Sequence, residues 1–455
     1  MTIFPDTALE LGQAIAQGEL NPVDITEHCL GLAQHSDSVF ISLTEERALR
    51  EARASAARQQ SGARHGPLDG VPIAWKDLFD ITGTCTTAGS RVLSASPAQQ
   101  DANAVRHLSG AGMVCIGKTN LTELAYSGLG LNPHYGTPHC TPGDGPTRAP
   151  GGSSSGSAIA VAQRIVPAAI GTDTAGSLRV PAAFNGLCAY RPSQQRHDRI
   201  GTTPLARSLD TIGVIARTLD DCVAIDDAMR GHATRQRTPS QPNTSLLIVD
   251  TAILEDQRLE PSVRDHLLHR AKQLREAGFM VVERPLQSIA DTLDDIHRIG
   301  WLGAAEAYTE YRALLESNAA HEMDPRVRQR LLNTCQMPPD AVVTLYRRRQ
   351  ELIEQLSKEL GGAVLLTPTV AHIAPELAPL EQDAELFAEV NLATLRLSMV
   401  ASLLDCPAVA LPCGRHNQQH TSMQLSASRG QDEALLRTAL AVDQCLTAFP
   451  TPTTS

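Results

Sequence analysis

Residues 149–181 read APGGSSSGSAIAVAQRIVPAAIGTDTAGSLRVP, and this stretch decides the fold of the 455-residue chain. It contains two turns of small, hydroxyl-bearing residues, 151–157 and 172–177, separated by an apolar segment that predicts a helix followed by a strand. Glycine-rich turns let other groups approach backbone N–H donors closely. Two such turns predict a place where a nucleophile and an oxyanion meet. A flexible Ser/Gly linker is the alternative, but the apolar residues 158–170 favour burial.

Strand-like and helix-like segments alternate on both sides of this stretch, which predicts an α/β fold. Because the strand signals run along the whole length, we expect one large domain, residues 1–455, with a mixed, twisted central β-sheet covered by helices on both faces. Within it we expect a helical lead-in over 1–62, a catalytic core over 66–220 and a helix-rich, substrate-side region over 286–360.

Composition excludes several classes of function. The formal net charge is −11 and no long basic run occurs, so direct nucleic-acid binding is not expected. The ten cysteines form no C-x-x-C pair, which is typical of buried thiols in a reducing compartment. No metal-ligand spacing, signal peptide or membrane-length apolar run is present, so we expect no metal, no cofactor, no membrane partner and a cytoplasmic location.

Lys76 follows an apolar strand, 71–75, and Asp77 comes next. A lysine there could reach the surface with its long side chain. If it is buried instead, its pKa falls, and the neutral amine can act as a general base.

Ser177 ends the second turn, where successive N–H groups can stabilise the oxyanion of a carbonyl that the serine attacks. We expect Asp173 to accept hydrogen bonds from neighbouring N–H groups and Arg179 to hold that carboxylate. The alternative for Arg179 is contact with a substrate anion. Residues 152–156 also match the G-x-S-x-G nucleophile elbow, which would make Ser154 the nucleophile, but that elbow must follow a strand. A phosphate cradle is disfavoured because neither glycine-rich nucleotide pattern is complete.

Several segments together resemble the amidase signature family. The first turn matches its G-G-S-S-x-G-S pattern, and residues 171–181 resemble G-x-D-x-G-G-S-[IV]-R-x-P, with Ala175 and Leu178 as departures. Further matches lie at 70–77, 117–125, 208–213 and 366–369, so the resemblance covers nearly the whole chain.

The resemblance implies roles for individual residues. Ser177 falls on the family's nucleophile, Ser153 on a bridging serine that follows a cis peptide bond, and Lys76 on the base. The implied oxyanion hole consists of the N–H groups of Thr174, Ala175, Gly176 and Ser177. Ala175 departs from the family's glycine: either its φ is positive and strained, or its Cβ narrows the space beside the carbonyl.

The implied activity is hydrolysis of a linear, small-molecule amide through a seryl acyl-enzyme, releasing ammonia or an amine. The alternatives are the A subunit of a tRNA-dependent amidotransferase, which works with partner subunits, and a non-catalytic scaffold. A homodimer is one assembly we consider. We expect the substrate side to include Ala125, Tyr126, Ser127 and Gly128, residues near Thr137 to Cys140, and the helical region after Trp301, where Tyr308 and Arg312 are candidate polar contacts.

Overall fold

A mixed β-sheet of twelve strands runs through the part of the chain that the computed structural model describes, residues 4–93, 96–139, 145–449 and 451–454. Eleven strands follow the order β1-β3-β2-β4-β6-β5-β10-β11-β9-β7-β8, and β12 pairs with β10. Parallel pairs join β2 to β3 and β4, β7 to β8 and β9, and β10 to β12; the other pairs are antiparallel.

The strands are β1 (Phe40–Leu43), β2 (Pro72–Lys76), β3 (Val114–Thr119), β4 (Ala168–Asp173), β5 (Cys188–Arg191), β6 (Thr211–Ala216), β7 (Leu246–Val249), β8 (Met280–Glu283), β9 (Val364–Pro368), β10 (Ala408–His416), β11 (Gln419–Ser426) and β12 (Thr453–Thr454). The α-helices are α1 (Ala8–Ala16), α2 (Pro22–His35), α3 (Glu45–Gln60), α4 (Asn103–Gly110), α5 (Ser155–Ala162), α6 (Arg179–Asn185), α7 (Leu219–Met229), α8 (Thr251–Leu254), α9 (Pro261–Glu276), α10 (Gln287–Arg298), α11 (Leu302–Leu315), α12 (Pro325–Thr334), α13 (Pro339–Leu360), α14 (Leu377–Gln382), α15 (Ala384–Leu403) and α16 (Asp432–Thr447).

Strands β2 and β4 form the centre of the candidate active site. Every residue of both strands is buried, as expected for short apolar runs covered on both faces. They run parallel, with Trp75 opposite Ile170. Their carboxyl ends therefore reach the same edge of the sheet, which brings the end of β2 next to the end of β4.

Two separate groups of helices contact the same strands. Helices α5 and α6 pack against each other and against β6 and β5, whereas α7, which contacts α16, also packs on β6 and β5. Because one strand pair cannot offer both groups the same face, the helices cover both faces of the sheet. The predicted α/β architecture is confirmed.

The first glycine of α5 shows why small residues are needed here. A Cβ atom at Gly156 would lie 2.4 Å from the carbonyl oxygen of Val39 and 2.6 Å from the backbone nitrogen of Asn120. Only a residue without a side chain lets the start of α5 pack this closely against neighbouring backbone.

Some local predictions differ from the structure. The lead-in holds α1, α2 and α3 but also β1, which we missed because it is a short, half-buried edge strand. The segment that ends the 117–125 motif forms a single 3₁₀ turn, Glu123–Ala125, and no longer helix, because Leu124 and Ala125 both have positive φ. The region 286–360 contains helices α10 to α13. Its substrate-side role and the internal boundaries stay predictions.

The sequence search for a membrane-length apolar run overlooked α15. This helix is long and apolar enough to cross a membrane, but 61% of its most apolar window is buried inside the fold, as in the core helix of a globular protein. Six cysteines are buried, as expected, whereas Cys335 is exposed and Cys140 lies outside the described residues.

Candidate active site

The Lys76 side chain is fully buried at the carboxyl end of β2. Its Nζ donates hydrogen bonds to Ser153 Oγ and to Thr172 Oγ1, each at 2.8 Å. Lys76 therefore does not extend to the surface, and the parallel register of β2 and β4 places it beside Thr172.

Burial lowers the pKa of Lys76 to about 7, and the attraction of the Asp173 and Asp210 carboxylates only partly opposes this. Burial disfavours the charged ammonium because the interior solvates it poorly. A large fraction of Lys76 is consequently neutral near pH 7, and the neutral amine can accept a proton.

Ser153 is fully buried and follows the cis peptide bond Gly152–Ser153. Hydrogen bonds fix the surrounding turn: Gly152 N–H donates to the Gly128 carbonyl at 2.7 Å, and Thr122 N–H donates to the Ser153 carbonyl at 3.2 Å. These backbone bonds orient the Ser153 hydroxyl toward Lys76 Nζ.

The two turns are joined by a hydrogen bond from Ser154 N–H to the Ser177 carbonyl, at 3.3 Å. Ser154 itself is fully buried, and its hydroxyl donates to the Thr172 carbonyl at 3.3 Å. Among the described elements, the one that precedes Ser154 in the chain is the 3₁₀ turn Glu123–Ala125, and not a strand. This geometry does not fit a nucleophile elbow at Ser154.

Ser177 lies just before α6 and lines a cavity of about 220 Å³. Its hydroxyl makes no hydrogen bond within the described ranges of the chain, and it is therefore free to meet a ligand. The Ser153 and Ser177 side chains are not hydrogen-bonded to each other; catalytic hydrogen bonds often tighten only when substrate binds.

A buried ion pair holds the turn before Ser177. Arg179 donates to both carboxylate oxygens of Asp173, at 3.0 and 2.9 Å, and also to Gln424 and Ser402. Burial alone would raise the pKa of Asp173, but the Arg179 guanidinium, with help from Arg191, lowers it to about 2. Asp173 is thus an anion that binds neighbouring donors.

This carboxylate accepts hydrogen bonds from the N–H groups of Gly176, at 2.9 Å, and Leu178, at 3.2 Å. The Gly176 N–H is therefore engaged, which removes one of the four expected oxyanion donors in this conformation. The N–H groups of Thr174, Ala175 and Ser177 donate to no acceptor in the described part of the chain. An oxyanion hole at this turn would use those three.

Ala175 does not have a positive φ, so the first of the two explanations considered for this alanine does not apply. Its carbonyl accepts a hydrogen bond from Ser398 Oγ at 2.6 Å, and its side chain lines the Ser177 cavity. Gly176, in contrast, has φ 131°, and a Cβ there would lie 2.1 Å from Ser398 Oγ. The turn needs glycine at 176 and tolerates alanine at 175.

The Ser177 cavity contains three of the four residues expected on the substrate side. Ala125, Tyr126 and Ser127 line it, whereas Gly128 does not and instead donates its N–H to Asn391 Oδ1 at 2.8 Å. The start of the helical region at Trp301 also lines it.

Two other expected contacts lie elsewhere. Tyr308 lines a separate surface groove, and Arg312 forms an exposed ion pair with Glu316. Both residues were inferred only from their place in a helical segment, and neither lines the Ser177 cavity.

Sequence reasoning missed the lining contributed by α12 and α15, namely Arg330, Asn333, Thr334, Asn391, Leu392, Leu395 and Met399. Arg330 is the one cation among them. Its guanidinium lies 4.5 Å above the Tyr126 ring and donates to the Tyr126 carbonyl. Burial lowers its pKa, and within the described ranges no carboxylate lies within 4 Å of it.

The chain is similar to known proteins over most of its length. Residues 24–436 match the family model described as Amidase. The chain is 30% identical to the A subunit of glutamyl-tRNA(Gln) amidotransferase from Chloroflexus aurantiacus over 93% of both chains.

Solved structures show the same fold. An amidase crystal structure has a TM-score of 0.85 and 29% identity, covering 97% of this chain and 99% of the other. An allophanate hydrolase from Kluyveromyces lactis has a TM-score of 0.80 and 25% identity, covering 97% of this chain and 73% of the other.

Proposed function

Because this chain belongs to the amidase family, we propose that it hydrolyses the amide bond of a linear small molecule, with Ser177 as nucleophile, Ser153 as proton relay and Lys76 as base. Family membership supports carbon–nitrogen bond hydrolysis. The observation that carries the finer assignment is the 2.8 Å contact between Lys76 Nζ and Ser153 Oγ in a buried setting that lowers the pKa of Lys76 to about 7.

The first half-reaction acylates the enzyme. Neutral Lys76 takes the Ser153 proton, Ser153 takes the Ser177 proton, and Ser177 Oγ attacks the amide carbonyl carbon. The carbonyl oxygen becomes an oxyanion, for which Thr174, Ala175 and Ser177 offer unengaged N–H groups. The proton then returns through Ser153 to the nitrogen, the C–N bond breaks, and ammonia or an amine departs.

The second half-reaction hydrolyses the ester. Water gives a proton to the same relay and attacks the acyl carbon, and Ser177 leaves with its proton restored. The protonation states of Lys76, Ser153 and Ser177 are thereby returned to their starting values. The two half-reactions need only these three side chains, the N–H groups of the turn before α6 and one water molecule.

The substrate proposed for this site carries an anionic group. Arg330 lines the Ser177 cavity without a carboxylate partner in the described chain, although the lining is otherwise mostly apolar. A partly buried guanidinium is stabilised when a carboxylate forms charge-assisted hydrogen bonds with it. A half-amide of a dicarboxylic acid carries both the amide that is hydrolysed and the carboxylate that Arg330 binds.

The experiment that tests the function combines labelling with a substrate panel. A fluorophosphonate should form an adduct on Ser177, located by peptide mass spectrometry, and S177A should lose both the adduct and ammonia release. The panel spans aliphatic, aromatic, half-amide and urea-type compounds. Labelling at Ser154, or full activity of S177A, would contradict the proposal. A chain that neither forms the adduct nor hydrolyses any substrate of the panel would be a non-catalytic scaffold.

The amidotransferase A subunit is the second candidate, favoured by 30% identity over 93% of the chain. It predicts co-purification with partner subunits, with glutamine as the amide substrate. A stable single chain that hydrolyses half-amides but not glutamine would exclude it. A homodimer in the cytoplasm is the assembly proposed for the single-chain enzyme, and sedimentation equilibrium of the purified chain tests the dimer.

A further inference from the structure

A second cavity, of about 360 Å³, lies next to the Ser177 cavity and does not contain Ser177. Its wall includes Thr172, Leu205 and Asp210, three residues that each also contact a different part of the site. We infer that this cavity receives the substituent of the leaving amine, and afterwards admits the water that replaces it. The inference rests on the proposed function.

The first connection is to the base. The Thr172 hydroxyl accepts a hydrogen bond from Lys76 Nζ at 2.8 Å, and Thr172 forms part of the cavity wall. The cavity therefore approaches the site from the side of the lysine, where Ser153 also lies.

The other two connections are to the acyl side. Leu205 lines both cavities, so it forms part of the boundary between them. Asp210 accepts a hydrogen bond from Thr174 Oγ1 at 2.6 Å, which ties the cavity wall to the turn with the unengaged N–H groups. Asp210 also accepts from the N–H groups of Leu205 and Ala206, which fixes the boundary segment.

The chemistry assigns a role to this position. In the tetrahedral intermediate, the nitrogen must face Ser153, because Ser153 delivers its proton. The acyl carbon chain points to the Ser177 cavity, and the oxygen points to the turn. A substituent on the nitrogen must then extend toward the lysine side, where the second cavity lies.

The same direction serves deacylation. Once the C–N bond has broken, the acyl group stays bound to Ser177 and fills its own cavity. Water must approach the ester carbon from the position that the amine has left, within reach of the Ser153 and Lys76 relay. The second cavity opens toward the surface at Ile200, which is 68% exposed, and threonines are among its lining residues.

The occupant is a small amine with a compact substituent. The lining mixes apolar side chains such as Leu78 and Ile212 with several threonines. Two arginines also line the cavity, but Arg199 donates to a backbone carbonyl and Arg207 forms an ion pair with Glu310. The volume is in the range of cavities that hold small organic groups. A single phenyl ring fits in about 360 Å³.

The test compares two substrates that share the acyl group best accepted in the panel, the primary amide and the anilide. The wild-type chain should hydrolyse both. T203F places a phenyl ring in the second cavity, at a position that does not line the Ser177 cavity. We expect it to lower kcat/KM for the anilide at least tenfold more than for the primary amide. T203S keeps a hydroxyl and should retain the wild-type ratio.

A wild-type chain that hydrolyses the primary amide but not the anilide would overturn the inference, as would an equal effect of T203F on both substrates. If T203F does not fold, judged by its thermal unfolding, T203L provides a smaller plug and a smaller change of the ratio in the same direction. Fluorophosphonate labelling separates the two proposals: no adduct on Ser177 contradicts the function, whereas normal labelling with an unchanged substrate ratio contradicts only the cavity assignment.

Discussion

Lys76 Nζ donates a hydrogen bond to Thr172 Oγ1 at 2.8 Å, the same distance that separates it from Ser153 Oγ. A neutral amine has two hydrogens and one lone pair. When Thr172 accepts one hydrogen, the orientation of the amine is restricted, and its lone pair can face the Ser153 hydroxyl. Thr172 is therefore a positioning residue for the proposed base.

Replacing Thr172 tests this positioning. T172V keeps the shape but removes the acceptor, and we expect kcat/KM to fall roughly five- to tenfold, which corresponds to about 1 kcal/mol for one net hydrogen bond. Because an acceptor also stabilises the ammonium, T172V should lower the pKa of Lys76 and move the acid limb of the pH profile to lower pH. T172S should restore both the rate and the profile, and an unmoved acid limb in T172V would argue for a purely structural role.

The titration of Lys76 gives a second prediction, on stability and on activity together. The folded-state pKa, about 7, lies below the ordinary value of 10.5. Below pH 7 the folded chain must keep a buried ammonium, which destabilises it on the order of 5 kcal/mol. Between pH 7 and 10.5 the unfolded chain binds more protons, so this destabilisation decreases as pH rises.

Activity should follow the same group, with kcat/KM rising through about pH 7 as Lys76 becomes neutral. K76M should be inactive, yet more stable than the wild type at about pH 6, and the difference in urea unfolding free energy should shrink toward about pH 10. K118M is a poor control because Lys118 is paired with Asp77, so K358M at the exposed end of α13 is preferred. A K76M stability difference that is independent of pH would contradict the lowered pKa.

Arg330 gives a third prediction, on the substrate. R330Q should raise KM for a half-amide roughly 10- to 100-fold, because a charge-assisted hydrogen bond contributes about 1.5–3 kcal/mol. The corresponding uncharged diamide should change little. R328Q changes another arginine of the same helix, beside His321, and should leave both substrates unaffected. Equal losses for the charged and uncharged substrates would show that Arg330 only supports the fold.

The contrast between Lys76 and Arg330 shows what the sequence could predict. Lys76, Ser153 and Ser177 lie in recognisable sequence motifs. The turns that contain the two serines form because their local sequences are rich in glycine and in small hydroxyl-bearing residues. Arg330 is one of several arginines in α12, and which of them faces the cavity depends on how that helix packs against the loop of Tyr126. That packing is set by contacts between residues far apart in the chain.

The sequence predicted that Asp173 accepts hydrogen bonds from neighbouring N–H groups, but not that Gly176 is one of the donors, for a similar reason. The motif places four N–H groups in one turn, but their partners depend on where the Asp173 carboxylate settles. Arg179, Gln424 and Ser402 determine that position, and two of these come from the last strands and helices of the chain. Sequence spacing predicts the turn, whereas the tertiary structure sets the number of free donors.

The oxyanion turn yields the last prediction, from a pair of neighbouring substitutions. A175G removes a Cβ from the wall of the Ser177 cavity without changing the sign of φ, so we expect stability to fall by no more than about 1 kcal/mol. The wider space should raise kcat/KM for branched acyl groups relative to linear ones. G176A places a Cβ against Ser398 at φ 131°, and should lose activity on every substrate together with stability. Thermal unfolding and a branched-to-linear substrate series measure both effects, and an A175G variant with an unchanged substrate ratio would show that this alanine does not limit the acyl group.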